Sequence, residues 1–192
     1  LADDGFDDTW LTGRTLLFVD SQALDVADAV CEAAARFMLP VVTTLAARGV
    51  VDEMQPWSAG HLGFVPHPRA EALLAPGTPL AADQVLHIGG DGDWTARLRA
   101  RHPDVQAVAP RRFARWLQDA PRAAPAQQRA ERQQWLRAGA AVDRVWPQPP
   151  VAGATGLNHV SVIDALVNHQ PSDTAWVVDA GQVRRVAAAR LC

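Results

Sequence analysis

The chain has 192 residues, 48% of them apolar and 20% charged, which is enough for one core or one domain plus part of another. A net charge of −3, with 18 basic residues that are all arginine and no tyrosine, gives no support for a basic, aromatic nucleic-acid surface. No apolar run approaches the ~20 residues of a membrane span, and two cysteines, Cys31 and Cys192, make no disulfide framework, which points to a reducing, cytoplasmic compartment.

Residues 1–13 are acidic and read as a surface arm. The start, LADDGFDD, has no basic signal-peptide segment and no initiator Met, and reads as a chain already under way. Thr15–Val19 is an apolar strand. Leu24 to Phe37 turns helical, with Val26, Val30, Ala34 and Phe37 at spacings of three and four. Ser21 is the expected cap of that helix. Pro40–Thr44 supplies a second strand. Strand, helix and strand with short links form a βαβ unit, which implies parallel strands.

Residues 45–64 carry glycines, an Arg48-Gly49 break and an acidic turn at Asp52-Glu53, and read as a loop. Arg69–Leu74 is a short helix. Gln84–Ile88 is a third strand, followed by Gly89-Gly90-Asp91-Gly92. Trp94–Arg101 is a helix, Val105–Val108 a fourth strand, and Phe113, Trp116 and Leu117 stripe another helix. Residues 124–144 predict a helix on a surface, anchored by Trp135 and Leu136. Pro147–Pro150, Gly153 and Gly156 form a linker. A helix striped by Val160, Ile163, Leu166 and Val167 and a strand over Thr174–Val178 then begin a new αβ pattern, and the last ten residues read as helical. The expected fold class is α/β: a Rossmann-like three-layer domain with a parallel sheet, then a linker and a partial second α/β unit.

Charge is uneven. Residues 1–53 hold ten acids against Arg14, Arg36 and Arg48, while residues 97–144 hold eleven arginines against four acids. Two solvated faces are the plain reading; faces for each other or for a partner subunit are the other.

No arrangement of residues announces a reaction. Gly89 and Gly90, after a strand and beside a helix start, form a candidate phosphate or nucleotide site, but neither G-x-G-x-x-G nor a Walker pattern is met, and Asp91 and Asp93 oppose phosphate. A plain βα loop is the simpler reading. Asp52-Glu53 suits a solvated turn better than a catalytic carboxylate pair. His61, His67, His87, His102, His159 and His169 have no zinc-ligand spacing, and His87 suits a buried or edge histidine. Ser58 and Ser161 lack a convincing base. The seven tryptophans sit singly beside apolar stripes and suit core or subunit contacts. Asp179-Ala180-Gly181-Gln182, at the C-terminal end of the last expected strand, is where α/β sheets place ligands, with Gln182 a candidate donor.

The order of these features resembles the central domain of thiamine-diphosphate-dependent enzymes of the acetolactate synthase and 2-oxoacid decarboxylase superfamily. The resemblance rests on Pro40-Val41-Val42-Thr43-Thr44, Arg48-Gly49, Asp52-Glu53, Pro56 and Gly60-His61-Leu62-Gly63. It continues in Ala82-Asp83-Gln84-Val85-Leu86-His87-Ile88-Gly89 and in the tail, Asp179-Ala180-Gly181-Gln182. It implies a central domain over 1–120, a helical, Pro/Gly-containing linker over 121–156, and the start of the cofactor's diphosphate-binding domain over 157–192. It also implies Gly181 and Gln182 near the diphosphate.

The chain departs from the family pattern at several positions. The family lysine is Arg48, and Gly90-Asp91-Gly92 replaces the usual Gly-x-Arg, which argues against FAD. That Gly-Asp-Gly is not the family's metal motif, because it stands in the wrong domain without its asparagine. Val183 and Val186 replace the family histidine and tryptophan. The activating glutamate and the metal-binding Gly-Asp-Gly…Asn are absent. The resemblance therefore implies a non-catalytic structural region of an enzyme using thiamine diphosphate and Mg²⁺, with the remaining catalytic domains or subunits as partners in a homo-oligomer, and no nucleic acid or membrane. Asp179–Gln182 leans to the synthase branch, and Val51-Asp52-Glu53 with Pro56 to the decarboxylase branch. An interaction or regulatory protein derived from such an enzyme, or a stand-alone nucleotide-binding domain, are the alternatives.

Overall fold

The computed structural model describes residues 8–63, 66–90, 92–143, 159–171 and 174–176. Five parallel strands form one sheet in the order β3-β2-β1-β4-β5. They are β1 (Thr15–Val19), β2 (Val41–Thr44), β3 (Ser58–Leu62), β4 (Gln84–Ile88) and β5 (Val105–Val108). The helices are α1 (Ala27–Phe37), α2 (Pro68–Leu74), α3 (Asp93–Arg99), α4 (Pro110–Asp119), α5 (Ala126–Asp143) and α6 (His159–His169).

The period of two along β1 builds the three layers. Leu17 and Val19 join α1 and α4 through Val30, Ala34, Phe37, Phe113 and Leu117. Leu16 and Phe18 face the other way, toward Leu73 and Leu74 of α2, Leu98 of α3 and Trp135 of α5. Leu16, Leu17, Phe18 and Val19 are all fully buried, worth about 1.5–3 kcal/mol each. A strand covered on both faces is mostly apolar, as this one is apart from Thr15, whose hydroxyl donates to Trp10 O.

Four expected strands lie where the sequence puts them; the fifth was not expected. β3 reads Ser-Ala-Gly-His-Leu, without a β-branched residue. Pairing with β2 makes it a strand, with Val41 opposite Ser58 and Thr43 opposite His61, and a register irregularity between them. Gly60 takes φ +81°, a backbone state that L side chains rarely adopt.

Other local expectations change. The 3₁₀ turn over Ser21–Val26 precedes α1, and its cap is Asp20, whose side chain accepts from Gln22 N. Trp10, placed on a surface arm by sequence, is 1% exposed. The tryptophans are not all isolated: Trp10 meets Trp116 edge-on at 4.6 Å between ring centroids, with Phe113 at 6.2 Å. Of the strand expected over Thr174–Val178, residues 174–176 are described and are not in a strand; the linker glycines and residues 177–192 lie outside the described residues.

α5 is amphipathic in an unusual way. Its apolar anchors are Trp135 and Leu136, both 5% exposed, and beside them Arg132 is buried at 1%. Trp135 donates Nε1–H to Leu80 O at 2.8 Å. The sequence-predicted surface helix is thus fastened to the sheet's second layer.

Candidate functional site

The order in which the parallel strands are added reverses at β1: β2 and β3 lie on one side of it and β4 and β5 on the other. The crevice at the C-terminal ends of β1 and β4 is the place where open parallel sheets bind ligands. Four residues converge there: Asp20 just past β1, His87 in β4, Gly89 just past β4, and Thr95 in the first turn of α3.

Asp20 Oδ1 accepts from Gln22 N at 2.8 Å, and Oδ2 lies 3.0 Å from His87 Nε2. His87 Nδ1 lies 2.7 Å from Thr95 Oγ1, which donates to Gly90 O at 2.9 Å. Phe18 packs edge-on against the imidazole at 5.4 Å. A hydroxyl has one proton, so when Thr95 donates to Gly90 O it accepts from Nδ1–H of His87. When it turns to Nδ1 instead, the Gly90 bond is given up. In the second arrangement a neutral ring donates Nε2–H to the Asp20 carboxylate; in the first it does so only as the doubly protonated imidazolium.

Hydroxyl, imidazole and carboxylate in line are also the order of a nucleophilic triad. Exposure decides against that chemistry. Thr95 is 1% exposed, His87 0% and Asp20 6%, so no substrate carbonyl reaches the hydroxyl. The three side chains instead tie β1, β4 and α3 together at the switch point. Sequence flagged His87 as buried or edge; its two partners come from β1 and α3, 67 and 8 residues away. The available signal was a histidine inside an apolar strand beside an aspartate ending the neighbouring one.

The predicted glycines stand in this crevice. A Cβ on Gly89 would come within 2.3 Å of Asp20 Oδ2. Gly90 takes φ +85° with its open side near Gln22 Oε1 at 3.8 Å. Both N–H groups donate to Val108 O, at 3.2 Å each. A phosphate cradle needs such N–H groups turned toward the ligand; here they face β5, and a carboxylate fills the space against Gly89. Gly181, Gln182 and Asp91 lie outside the described residues.

The acidic turn is not a carboxylate pair. Arg48 grips Glu53 with two bonds, Nε to Oε1 at 2.8 Å and Nη2 to Oε2 at 2.7 Å. Asp52 accepts from Met54 N and Gln55 Nε2, both at 3.0 Å, and the Met54 N–H, then the Gln55 amide, hold its carboxyl below the ordinary value. His102 is structural: Asp104 N donates to Nδ1 at 3.2 Å, and Nε2 meets Ala82 O at 2.9 Å. Among the described residues no three His, Cys, Asp or Glu side chains converge as metal ligands. Among the same residues no helix is long and apolar enough to cross a membrane.

No curated protein matches the chain. A solved structure from Mycobacterium smegmatis, assigned provisionally as a thiamin diphosphate-dependent enzyme, has the same fold at a TM-score of 0.54 and 16% identity, over 97% of this chain and 38% of that one. The chain thus spans well under half the length of that protein. Residues 12–112 match the family described as thiamine pyrophosphate enzyme, central domain, just over half of the 192 residues. The chain belongs to that family, and β1 through the start of α4 are its central-domain core.

Proposed function

We propose that this region is a non-catalytic scaffold of an acetolactate synthase-like or 2-oxoacid decarboxylase-like enzyme, packing between catalytic domains and subunits of a homo-oligomer in the cytoplasm. The observation that carries the reading is the state of the switch-point crevice. Its carboxylate, imidazole, hydroxyl and two glycine N–H groups are all engaged inside the domain. A crevice so occupied supports a structural rather than a chemical role.

The parent enzyme's cofactor, thiamine diphosphate with Mg²⁺, stabilises a carbanion when bound. The described residues do not fit it: the crevice offers a carboxylate where a diphosphate needs donors, and among them no cluster of metal-ligating side chains forms. Gly181 and Gln182 remain the residues of this sequence proposed to approach the diphosphate.

Calorimetric titration of the chain with thiamine diphosphate and Mg²⁺ tests the reading. No specific heat is expected. Binding tighter than about 10 μM, roughly 7 kcal/mol, overturns it. The second reading, a nucleotide at Gly89 and Gly90, has the crevice's location in its favour and requires both N–H groups to leave Val108. Titration with FAD and with NAD distinguishes it. Sequencing the natural gene on both sides separates an enzyme from a derived interaction protein. The enzyme has an upstream domain with a buried Glu and a downstream Gly-Asp-Gly…Asn.

A further inference from the structure

We propose that a cleft between the acidic turn and the end of α6, away from the switch point, binds a small organic cation: an apolar body carrying one ammonium group. The cleft holds about 820 Å³, within the range of small-molecule sites. Met54, Val167, Pro171 and Trp176 supply apolar walls. Two of these are large apolar side chains open to solvent, Met54 at 85% and Trp176 at 36% exposure. An apolar body seated between them covers surface that is otherwise wet.

The charge of this lining is negative. Among its described residues one arginine, Arg48, stands against two carboxylates, Asp52 and Glu53. Arg48 and Glu53 answer each other in an ion pair, and the excess charge is that of Asp52. Asp52 is exposed, and its oxygens accept from Met54 N and Gln55 Nε2. Both donors are neutral amides, so they fix the carboxylate in place and leave its charge. The same two bonds keep it ionised at neutral pH by holding the carboxyl below its ordinary value. Its field also reaches inward: after burial and Asp28, Asp52 is the third influence that pushes the Cys31 thiol up.

Two further features favour a cation. The end of α6 faces this cleft: Val167 lies in the last turn, and Gln170, whose N–H donates to Leu166 O at 3.0 Å, follows it. The C-terminal pole of a helix carries partial negative charge. His169, the basic residue of that turn, has Nδ1 at 2.7 Å from Ala165 O, and the cleft is lined without it. The second feature is Trp176, because the face of an indole attracts an ammonium group. Carboxylate, helix pole and indole come from three separate stretches of the chain and meet on one cleft. An anion there meets repulsion from the first two, and a neutral body gains only the apolar walls.

The test uses the full 192-residue chain, with 2-phenylethylammonium and 2-phenylethanol as probes of similar shape and different charge. The ammonium probe is expected to shift the amide resonances of Asp52, Met54, Val167 and Gln170 and the indole N–H of Trp176 saturably. The alcohol should bind at least about fivefold more weakly. Asp52→Asn keeps an oxygen for Met54 N and removes the charge; it should weaken the ammonium probe about threefold to fivefold and leave the alcohol unchanged, at an unchanged thermal midpoint. Trp176→Leu keeps an apolar wall and removes the ring, and should weaken the ammonium probe by a similar factor, about threefold or more. On the parent chain, raising NaCl from about 50 to about 500 mM should weaken the ammonium probe alone, a readout that needs no variant. No saturable shift up to about 10 mM, equal affinity for the two probes, or an ammonium affinity indifferent to salt overturns the site. So does a folded Asp52→Asn variant that binds as the parent does.

Discussion

Arg132 of α5 reaches across 95 residues of sequence to donate to Phe37 O, the last carbonyl of α1, at 2.9 Å. The same guanidinium donates to Gly13 O at 3.0 Å and to Leu11 O. Burial pushes its pKa down to about 10, which still leaves it a cation at neutral pH. One side chain thereby fastens α5 to the end of α1 and to the segment leading into β1. Arg132→Met keeps most of the stem and removes every donor. Phe37 O then loses a buried donor and Gly13 O a part-buried one, while Leu11 O keeps Gln128, at a cost of roughly 3 kcal/mol. Urea unfolding reads this as a lower midpoint at unchanged slope; a loss below about 1 kcal/mol would mean that α5 is held by its other anchors, Trp135 and Leu136.

Gly89→Ala sets a methyl group 2.3 Å from Asp20 Oδ2. The neighbour is a carboxylate held by Gln22 N and His87, so it does not yield cheaply. A destabilisation of about 1–3 kcal/mol is expected. Asp20→Ala also destabilises, because it removes both bonds. The double variant should cost less than the sum of the singles, by at least about 0.5 kcal/mol. Simple additivity in the double-mutant cycle would show that the two residues do not interfere.

Thr95→Val keeps the shape of the side chain and removes the hydroxyl between His87 and Gly90 O. With Thr95 at 1% exposure no water replaces it easily, and a cost of about 1–3 kcal/mol is expected. Amide hydrogen exchange at the ends of β4 and α3 should rise with it. Unchanged stability and exchange would count against a lock at the switch point.

Asp83 gives an acid-side prediction. Arg14 bonds it through Nη2 at 2.8 Å and through its own backbone N–H at 2.8 Å. The Arg14 side chain is the chief cause that holds the Asp83 carboxyl below its ordinary 3.8. The stabilisation is therefore complete above pH 3.8 and is lost as pH falls through the lower folded value. The Asp83 side chain is 50% exposed, so solvent screening limits the effect to at most about 1 kcal/mol. Asp83→Asn should flatten that part of the stability–pH curve, and an acid limb identical to the parent's would contradict the assignment.

Cys31 donates to Val50 O at 3.2 Å. Burial first, then the charges of Asp28 and Asp52, push its thiol above the ordinary 9.0. The thiolate is the reactive form. In a Cys192→Ser background, iodoacetamide at pH 8 should modify the folded chain several-fold more slowly than the urea-unfolded chain, roughly fivefold or more. Equal rates would show the thiol to be open and unperturbed.

Much of the architecture was legible in order. Short runs rich in apolar and β-branched residues at 15–19, 41–44, 84–88 and 105–108 marked four strands, because the strands of a sheet covered on both faces are mostly apolar. Short links and intervening helical patterns determined that those strands are parallel. The motifs within residues 40–63 and 82–89 pointed to the central-domain family, whose match covers residues 12–112. β3 was not legible, since Ser-Ala-Gly-His-Leu has no strand propensity and becomes a strand only when β2 offers it hydrogen bonds. The burial of Arg132 and Arg69 was equally hidden. An arginine reads as surface until the fold brings carbonyls from distant segments around its guanidinium. The candidate site divides the same way. Sequence placed Gly89 and Gly90 at the end of a strand, which is a local fact. Tertiary structure decided that their N–H groups turn to Val108 and that Asp20 fills the space beside Gly89, because hydrogen-bond direction and the volume next to a glycine belong to the neighbouring strands.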